Sequence, residues 1–459
     1  MKRTFSKKDG ILYKQLYEYL AAEIRDGRLK NGEQLPSRRD MARQAGVSEI
    51  TVDYAYKLLS DTGYAVIKAR QGIFVRFAQR HDYAENPWEN ATDQTYVFSP
   101  DAVRGQHDTK LFRSMKNLMQ SEQESLLDYP EKNGETALRI ALQGLLYRER
   151  DIKTPASNLI VGGGAEYLLV SLAQTLGRDM VYLLPDYPPA RSCAALRRAG
   201  ARLQFLPICE NGLNIDALRR TDGNILYLTP YCQYPLSLRM SQEQRQAALD
   251  WAYQKPDRYI IEDAYDFPFC AGSDKTSLFD MDTKGRVIYL DSFFRTISPA
   301  FRLAYIILPD PLLLRWKQAH PYFYPLASKL DQALLQEYLN SGAYSRYVQE
   351  TAKLYARRKR LLIQTLKKSV IGTRLTIYES NGGTHILVKY HGPGAEGQLK
   401  RAALSAGVKI FTMSRLTAAP DPGRPEQKIF MLGYGGMEER ELMAGAEKMA
   451  EAFDRLQAD

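Results

Sequence analysis

An α/β fold with a small basic N-terminal unit and a large, mostly parallel sheet follows from three features of the 459-residue sequence. Helical periodicity followed by two short strand-like runs fills the first eighty residues. A polar stretch without sustained period comes next, around His81 to Asn90. From about residue 158, apolar runs of strand length alternate with amphipathic helical segments, the pattern that builds a sheet covered on both faces.

The length exceeds one average domain, and an apolar content of 44% supports a sizeable core. No run of 18 or more uncharged apolar residues occurs, and Met1 to Lys8 leads into charged helix-like sequence without an apolar leader. The expectation is a soluble cytoplasmic protein with no membrane partner. Cys193, Cys209, Cys232 and Cys270 lie far apart with no CxxC, which points to core or near-core thiols rather than disulfides or zinc. The formal charge of +10 is uneven: residues 1–80 hold 16 Lys plus Arg against 9 Asp plus Glu. Such asymmetry favours nucleic acid as the partner of that segment.

Within residues 1–78, Ile11, Leu12, Leu16, Tyr17, Leu20, Ala21 and Ile24 predict a first helix. Ser37 is placed to cap a second, and Ser48 a third, whose Val52, Ala55, Tyr56 and Leu59 form an inward stripe. Residues 63–67 and 72–75 then read as two strands joined through Lys68-Ala69-Arg70-Gln71. Three helices followed by a basic hairpin describe a winged helix-turn-helix, with the third helix sized for a major groove and Lys68 and Arg70 on the wing. The segments Leu35-Pro36-Ser37-Arg38-Arg39-Asp40-Met41-Ala42 and Gly46-Val47-Ser48-Glu49-Ile50-Thr51-Val52 resemble the DNA-binding domain of GntR-family bacterial regulators. The resemblance implies that Arg39 contacts phosphate beside Arg38, that Ser48 and Thr51 sit at the DNA-facing start of the recognition helix, and that Gly72 shapes the wing. Glu49 stands where the family often has arginine, so the double-stranded operator would be atypical.

Residues 79–107 read as a linker, with Trp88 a side chain that could dock. In the body from 108 to 459, five strands are predicted at 158–161, 179–184, 223–228, 258–261 and 287–290. Helices at 165–176, 189–198 and 240–253 separate them, a long helix runs through 332–367, and a smaller α/β subdomain occupies about 370–459. Gly162-Gly163-Gly164-Ala165 follows the first strand and opens a helix, where free amides suit phosphate as well as a tight turn. Glu262-Asp263-Ala264-Tyr265-Asp266 follows another strand, where carboxylates face the crevice at the strand ends. His107, His320 and His385 lack ligand-like spacing, so no metal site is expected.

These pieces, with Tyr129, Gly164-Ala165-Glu166, Pro185-Asp186-Tyr187-Pro188, Thr229-Pro230 with Gln233 and Pro235, Ser292 through Arg302, Gly382-Gly383-Thr384-His385 and Leu432-Gly433-Tyr434, resemble a fold-type I aspartate-aminotransferase-like domain. The whole arrangement is similar to MocR-like regulators of the GntR family. That resemblance implies a site for pyridoxal phosphate (PLP) or pyridoxamine phosphate. Tyr187 would stack on the ring, Asp263 would pair with its nitrogen, and Tyr265 would bond O3. Ala165, Glu166, Ser292 and Arg302 would surround the phosphate, and Tyr129 would reach the partner subunit's phosphate in a head-to-tail homodimer.

Departures from the pattern cluster in this pocket. Arg295 stands where the family has the lysine that carries the cofactor, and a guanidinium stays protonated and cannot perform that amine chemistry. Cys232 occupies a place where histidine is frequent, Leu183 replaces a common acid, and Met431 lies near the position of a carboxylate-binding arginine. The expected function is a DNA-binding regulator, with no catalytic residue, that senses noncovalent PLP, pyridoxamine phosphate or another small anionic or amino effector. The alternatives are a PLP-dependent aminotransferase, which Arg295 opposes, and a ligand-free dimerising scaffold.

Overall fold

The computed structural model describes residues 5, 11–25, 29, 32–61, 64–68, 72–75, 95–102, 109–120, 124–209, 212–270, 275–322, 324–378, 382–416 and 427–458. The chain divides into two compact units, Met1–Tyr83 and Ala84–Asp459.

In the first unit, α1 (Leu12–Arg25), α2 (Arg38–Ala45) and α3 (Glu49–Asp61) precede the antiparallel pair β1 (Ala65–Lys68) and β2 (Gly72–Val75). The apolar stripes meet in one core: Leu16, Leu20 and Ile24 of α1 lie buried with Val52, Ala55, Tyr56 and Leu59 of α3. Ser37 accepts a hydrogen bond from the Asp40 amide at 3.1 Å, capping α2, and Gly46 ends it in the left-handed region at φ 66°. Ser48 accepts from the Thr51 amide at 3.2 Å and starts α3 in the same way.

The second unit is built on a seven-stranded sheet. Its strands are β3 (Leu159–Gly162), β4 (Val181–Pro185), β5 (Arg202–Leu206), β6 (Ile225–Leu228), β7 (Tyr259–Asp263), β8 (Val287–Ser292) and β9 (Ala304–Ile307). Their order is β3-β9-β8-β7-β6-β4-β5, parallel throughout except for β9, which runs antiparallel to both neighbours. The parallel strands therefore bring Gly162, Pro185, Leu228, Asp263 and Ser292 to one edge of the sheet, where crevices form in open α/β folds. Helices Ala165–Leu176 and Ala190–Arg198 cover one face with Leu168, Leu172 and Leu196. On the other lie Leu142, Leu146 and Tyr338. Beyond it, β10 (Leu375–Tyr378), β11 (His385–Tyr390), β12 (Phe411–Thr412) and β13 (Ile429–Gly433) form an antiparallel sheet ordered β10-β11-β13-β12.

Four expectations need correction. The helix expected through 332–367 is two helices, Lys329–Asn340 and Ala343–Lys368, because Gly342 adopts φ 66° between them. Part of the expected linker belongs to the body: Tyr96–Val97 pairs with Val408–Lys409, Phe98 is fully buried, and the Gly433 amide donates to the Phe98 carbonyl at 3.1 Å. Of the four thiols, Cys209 is exposed rather than near the core. Glu262 does not face the crevice. It is buried beneath the sheet and accepts from the Leu278 and Phe279 amides at 3.2 and 2.8 Å, which caps a short helix. His320 and His385 are bonded within the body, His320 to Thr175 at 3.0 Å and His385 to the Pro235 carbonyl at 2.9 Å. His107 and Trp88 lie outside the described residues.

Candidate functional site

On the first unit, the expected DNA-facing residues gather where α2 and α3 begin. Arg38 Nε lies 2.6 Å from Asp53, and Arg39 Nε lies 3.3 Å from Glu49, all with exposed side chains. Ser48 and Thr51 share a hydroxyl bond of 2.8 Å. Gly72 holds φ 116°, and a Cβ there would come within 2.5 Å of the Gln34 amide, so the start of the second wing strand requires glycine. Arg70 and the side chain of Lys68 lie outside the described residues.

On the second unit, Asp263 ends β7 and is buried among groups that hold it. Tyr227 on neighbouring β6 donates to one carboxylate oxygen, and the Tyr265 amide donates to the other at 3.2 Å. The Tyr227 hydroxyl also lies 2.8 Å from Ser192. Burial pushes the Asp263 carboxyl up to about 7, against the hydrogen bond from Tyr227, which favours the ionised form. The site thus offers a carboxyl balanced near neutrality at the sheet edge.

Arg295, in the turn that follows β8, is only 6% exposed. Its Nη2 donates to Asp101 at 2.6 Å, while Nη1 donates to Thr384 at 2.5 Å and to the Pro100 carbonyl at 3.2 Å. Asp266 stands 3.5 Å from Nη1, and the guanidinium lies 4.8 Å from the Tyr265 ring centroid. Burial opposes the charge, but Asp266 and Asp101 outweigh it and hold the guanidinium more firmly protonated than usual. Arg295 therefore ties together the β7 loop, the segment entering the body and the smaller subdomain.

A second cluster forms at the N-terminus of helix Ala165–Leu176. Glu166 accepts from Arg302 at 2.7 Å and lies 3.7 Å from Arg191. Both guanidinium groups lie against Phe294, at 4.6 Å for Arg191 and 5.6 Å for Arg302. Gly164, at φ 107°, leaves room for the Arg302 head, which would be 3.0 Å from a Cβ. Ser292 is half-buried at the end of β8.

Three expected residues remain. Tyr187 is buried in an apolar cluster with Leu387, Met413, Ile429 and Met431. Cys232 is buried, with its sulfur 3.6 Å from the Cβ position of Gly383. Tyr129 is 87% exposed and lies against Tyr324 at 6.2 Å between ring centroids. Sequence reasoning missed Asp101, Asp266, Tyr227 and Arg191 as site residues. The apolar run Tyr96-Val97-Phe98 was the signal that Asp101 belongs to the body, and Asp266 stood inside the acidic motif. Nothing in the sequence pairs Arg191 with Glu166.

Among the described residues no group of three His, Cys, Asp or Glu side chains is placed to hold a metal, and no helix is long and apolar enough to cross a membrane. Residues 12–75 match the profile of the family described as bacterial regulatory proteins, gntR family. The chain is 29% identical to the uncharacterized HTH-type transcriptional regulator YdeL of Bacillus subtilis (strain 168), covering 96% of each. It is 27% identical to the probable rhizopine catabolism regulatory protein MocR of Rhizobium meliloti, covering 97% of this chain and 94% of that protein. An archaeal alanine:glyoxylate aminotransferase structure superposes with a TM-score of 0.67 at 20% identity, covering 76% of this chain and 87% of that one, a likeness of fold.

Proposed function

Because the chain belongs to the MocR-like regulators of the GntR family, a winged helix-turn-helix joined to a fold-type I aminotransferase-like domain, we propose that it binds an operator as a dimer and senses a small ligand without transaminating it. One observation carries this reading. Arg295, which the motif resemblance sets at the family's lysine position, has its guanidinium held by Asp101, Asp266 and Thr384. A group so protonated is no nucleophile and no general base at neutral pH.

The pocket residues suit PLP or pyridoxamine phosphate held without a covalent bond. Asp263, buried and poised near neutrality, would pair with a pyridine nitrogen, with Tyr227 and the Tyr265 amide fixing its orientation. Arg302, the amides opening the helix at Ala165, and Ser292 would take the phosphate, and Tyr129, exposed on its own subunit, would extend to the partner subunit's phosphate. PLP supplies an aldehyde and an electron-accepting ring when bound; Arg295 would only hold it by charge and exclude water. On the first unit, Arg38, Arg39 and Thr51 would meet the operator, with Lys68 and Arg70 on the wing. Ligand binding would favour one domain arrangement and change operator affinity, and operator binding would change ligand affinity by the same factor.

The test joins two measurements on the full-length protein. After incubation with PLP and borohydride, peptide mass spectrometry should find no reduced adduct in the pocket, and no amino acid should be turned over. Operator affinity should shift when pyridoxamine phosphate is added to verified saturation. A pocket adduct with turnover would make the protein an enzyme, and unchanged affinity at saturation would defeat control by that ligand. The internal pairing of Arg295 and Arg302 with carboxylates favours a second reading, a dimerising scaffold, which gains if no phosphate, amino acid or other small anion binds.

A further inference from the structure

Glu166 holds the two cations of the helix-terminal cluster at once. Its Oε2 accepts from Arg302 at 2.7 Å, and its Oε1 faces Arg191 at 3.7 Å. Both arginines lie against one ring, Phe294, so their heads converge on the same place. Gly164 opens that place from beneath, and its Cβ position is 3.3 Å from the same Oε2. The carboxylate sits in the first turn of helix Ala165–Leu176, where backbone amides and the helix dipole favour a negative charge. Two guanidinium groups and a helix N-terminus are what a phosphate monoester requires, and here they hold an anion of the chain itself.

We propose that Glu166 is a resident competitor for the phosphate of a phosphorylated ligand, and that Arg191 is a second phosphate-binding cation released when Glu166 withdraws. The inference rests on the reading of the pocket as a phosphate-ester site. A ligand phosphate must displace the carboxylate from Arg302 and then stand near it. The pair is partly exposed, with side-chain exposures of 44% for Arg302 and 29% for Glu166, so exchange needs no unfolding. Glu166 thereby sets the ligand concentration at which the body responds, and it penalises dianionic phosphate more than a ligand with no phosphate.

The experiment titrates full-length wild type, Glu166→Gln and Glu166→Ala with pyridoxamine phosphate by calorimetry, using unphosphorylated pyridoxamine and inorganic phosphate as further probes. Circular dichroism checks the fold of each variant. Both variants should bind pyridoxamine phosphate about tenfold more tightly than wild type, a gain of about 1.4 kcal/mol, with pyridoxamine affinity unchanged. Adding Arg191→Gln to Glu166→Gln should remove most of that gain. Equal or weaker binding by both Glu166 variants would overturn the competitor role while leaving the phosphate site standing. An undiminished gain without Arg191 would overturn its part, and absence of binding by every protein would overturn the phosphate site as well.

Discussion

Burial opposes the charge on both Asp263 and Arg295, yet only Arg295 has carboxylates beside it that outweigh the cost. Burial lifts the Asp263 carboxyl to about 7. Between the ordinary carboxylate range and pH 7 the folded protein therefore keeps a proton that the unfolded chain has released. The associated stabilisation is complete below the ordinary carboxylate range and is lost as pH rises through about 7. Asp263→Asn stays neutral and keeps an acceptor for the Tyr265 amide. Relative to wild type it should be more stable at pH 8 than at pH 5, by on the order of 2 kcal/mol in the difference. Thermal melts at both values decide it, and a gap that does not vary with pH would remove Asp263 as the titrating group. Arg295 differs because two carboxylates keep it charged. Arg295→Met would leave Asp266 buried without its cation, and urea unfolding should show a loss of about 3–5 kcal/mol. Arg295→Lys should lose less, since the charge remains although the forked contact to Asp101 and Thr384 does not. Equal losses would mean that shape rather than charge matters at this position.

At the scale of elements, α2 and α3 were legible because apolar spacing and the caps Ser37, Gly46 and Ser48 agree, and the structure follows them within a residue or two. What the spacing could not reveal is how side chains on different elements meet. Arg39 and Glu49 are ten residues apart across the turn, yet they pair at 3.3 Å. Glu49 thus holds the arginine expected to contact phosphate. Glu49→Gln should free it, tightening operator binding several-fold at low salt and steepening the slope of log affinity against log salt by about 0.9. An unchanged slope would place Arg39 away from the phosphates. The body was legible to the same depth. Five strands are legible from their apolar runs, but β5 is a half-exposed edge with Arg202 and Gln204, and β9 is a short run just after the Ser292 to Arg302 segment. The apolar stripe continues from Leu339 to Tyr344 across Gly342, so periodicity alone joined two helices that Asn340-Ser341-Gly342 divides. Among the candidate site residues, Asp263, Tyr265, Glu166 and Arg302 were singled out by motif order alone, whereas Asp101 was hidden because its segment read as linker.

At the scale of the whole molecule, the apolar side chains left exposed are grouped. Phe112, Met115 and Met119 lie on helix Thr109–Gln120, Leu127 follows at 92% exposure, and Tyr129 and Leu326 lie near by in the chain or beside Tyr324. Helix Thr109–Gln120 packs on helix Lys329–Asn340, so these residues belong to one region of the body. Exposed apolar side chains grouped in one region suit a second copy of the chain, as an isologous dimer requires. Leu127→Asp with Leu326→Asp should sediment as a monomer at micromolar concentration where wild type sediments as a dimer, and a persisting dimer would move the interface elsewhere. The same arrangement makes a sharper prediction about the pocket. If Tyr129 completes the partner subunit's phosphate site, Tyr129→Ala damages the neighbouring site while Arg302→Ala damages its own. Each homodimer then has two defective sites. In a heterodimer of the two variants both defects fall on one site and the other is intact. Co-expressed, differently tagged subunits purified as the heterodimer should bind pyridoxamine phosphate at half the wild-type stoichiometry and with wild-type affinity. If Tyr129 served its own subunit, both sites would remain defective and the heterodimer would bind no better than its parents.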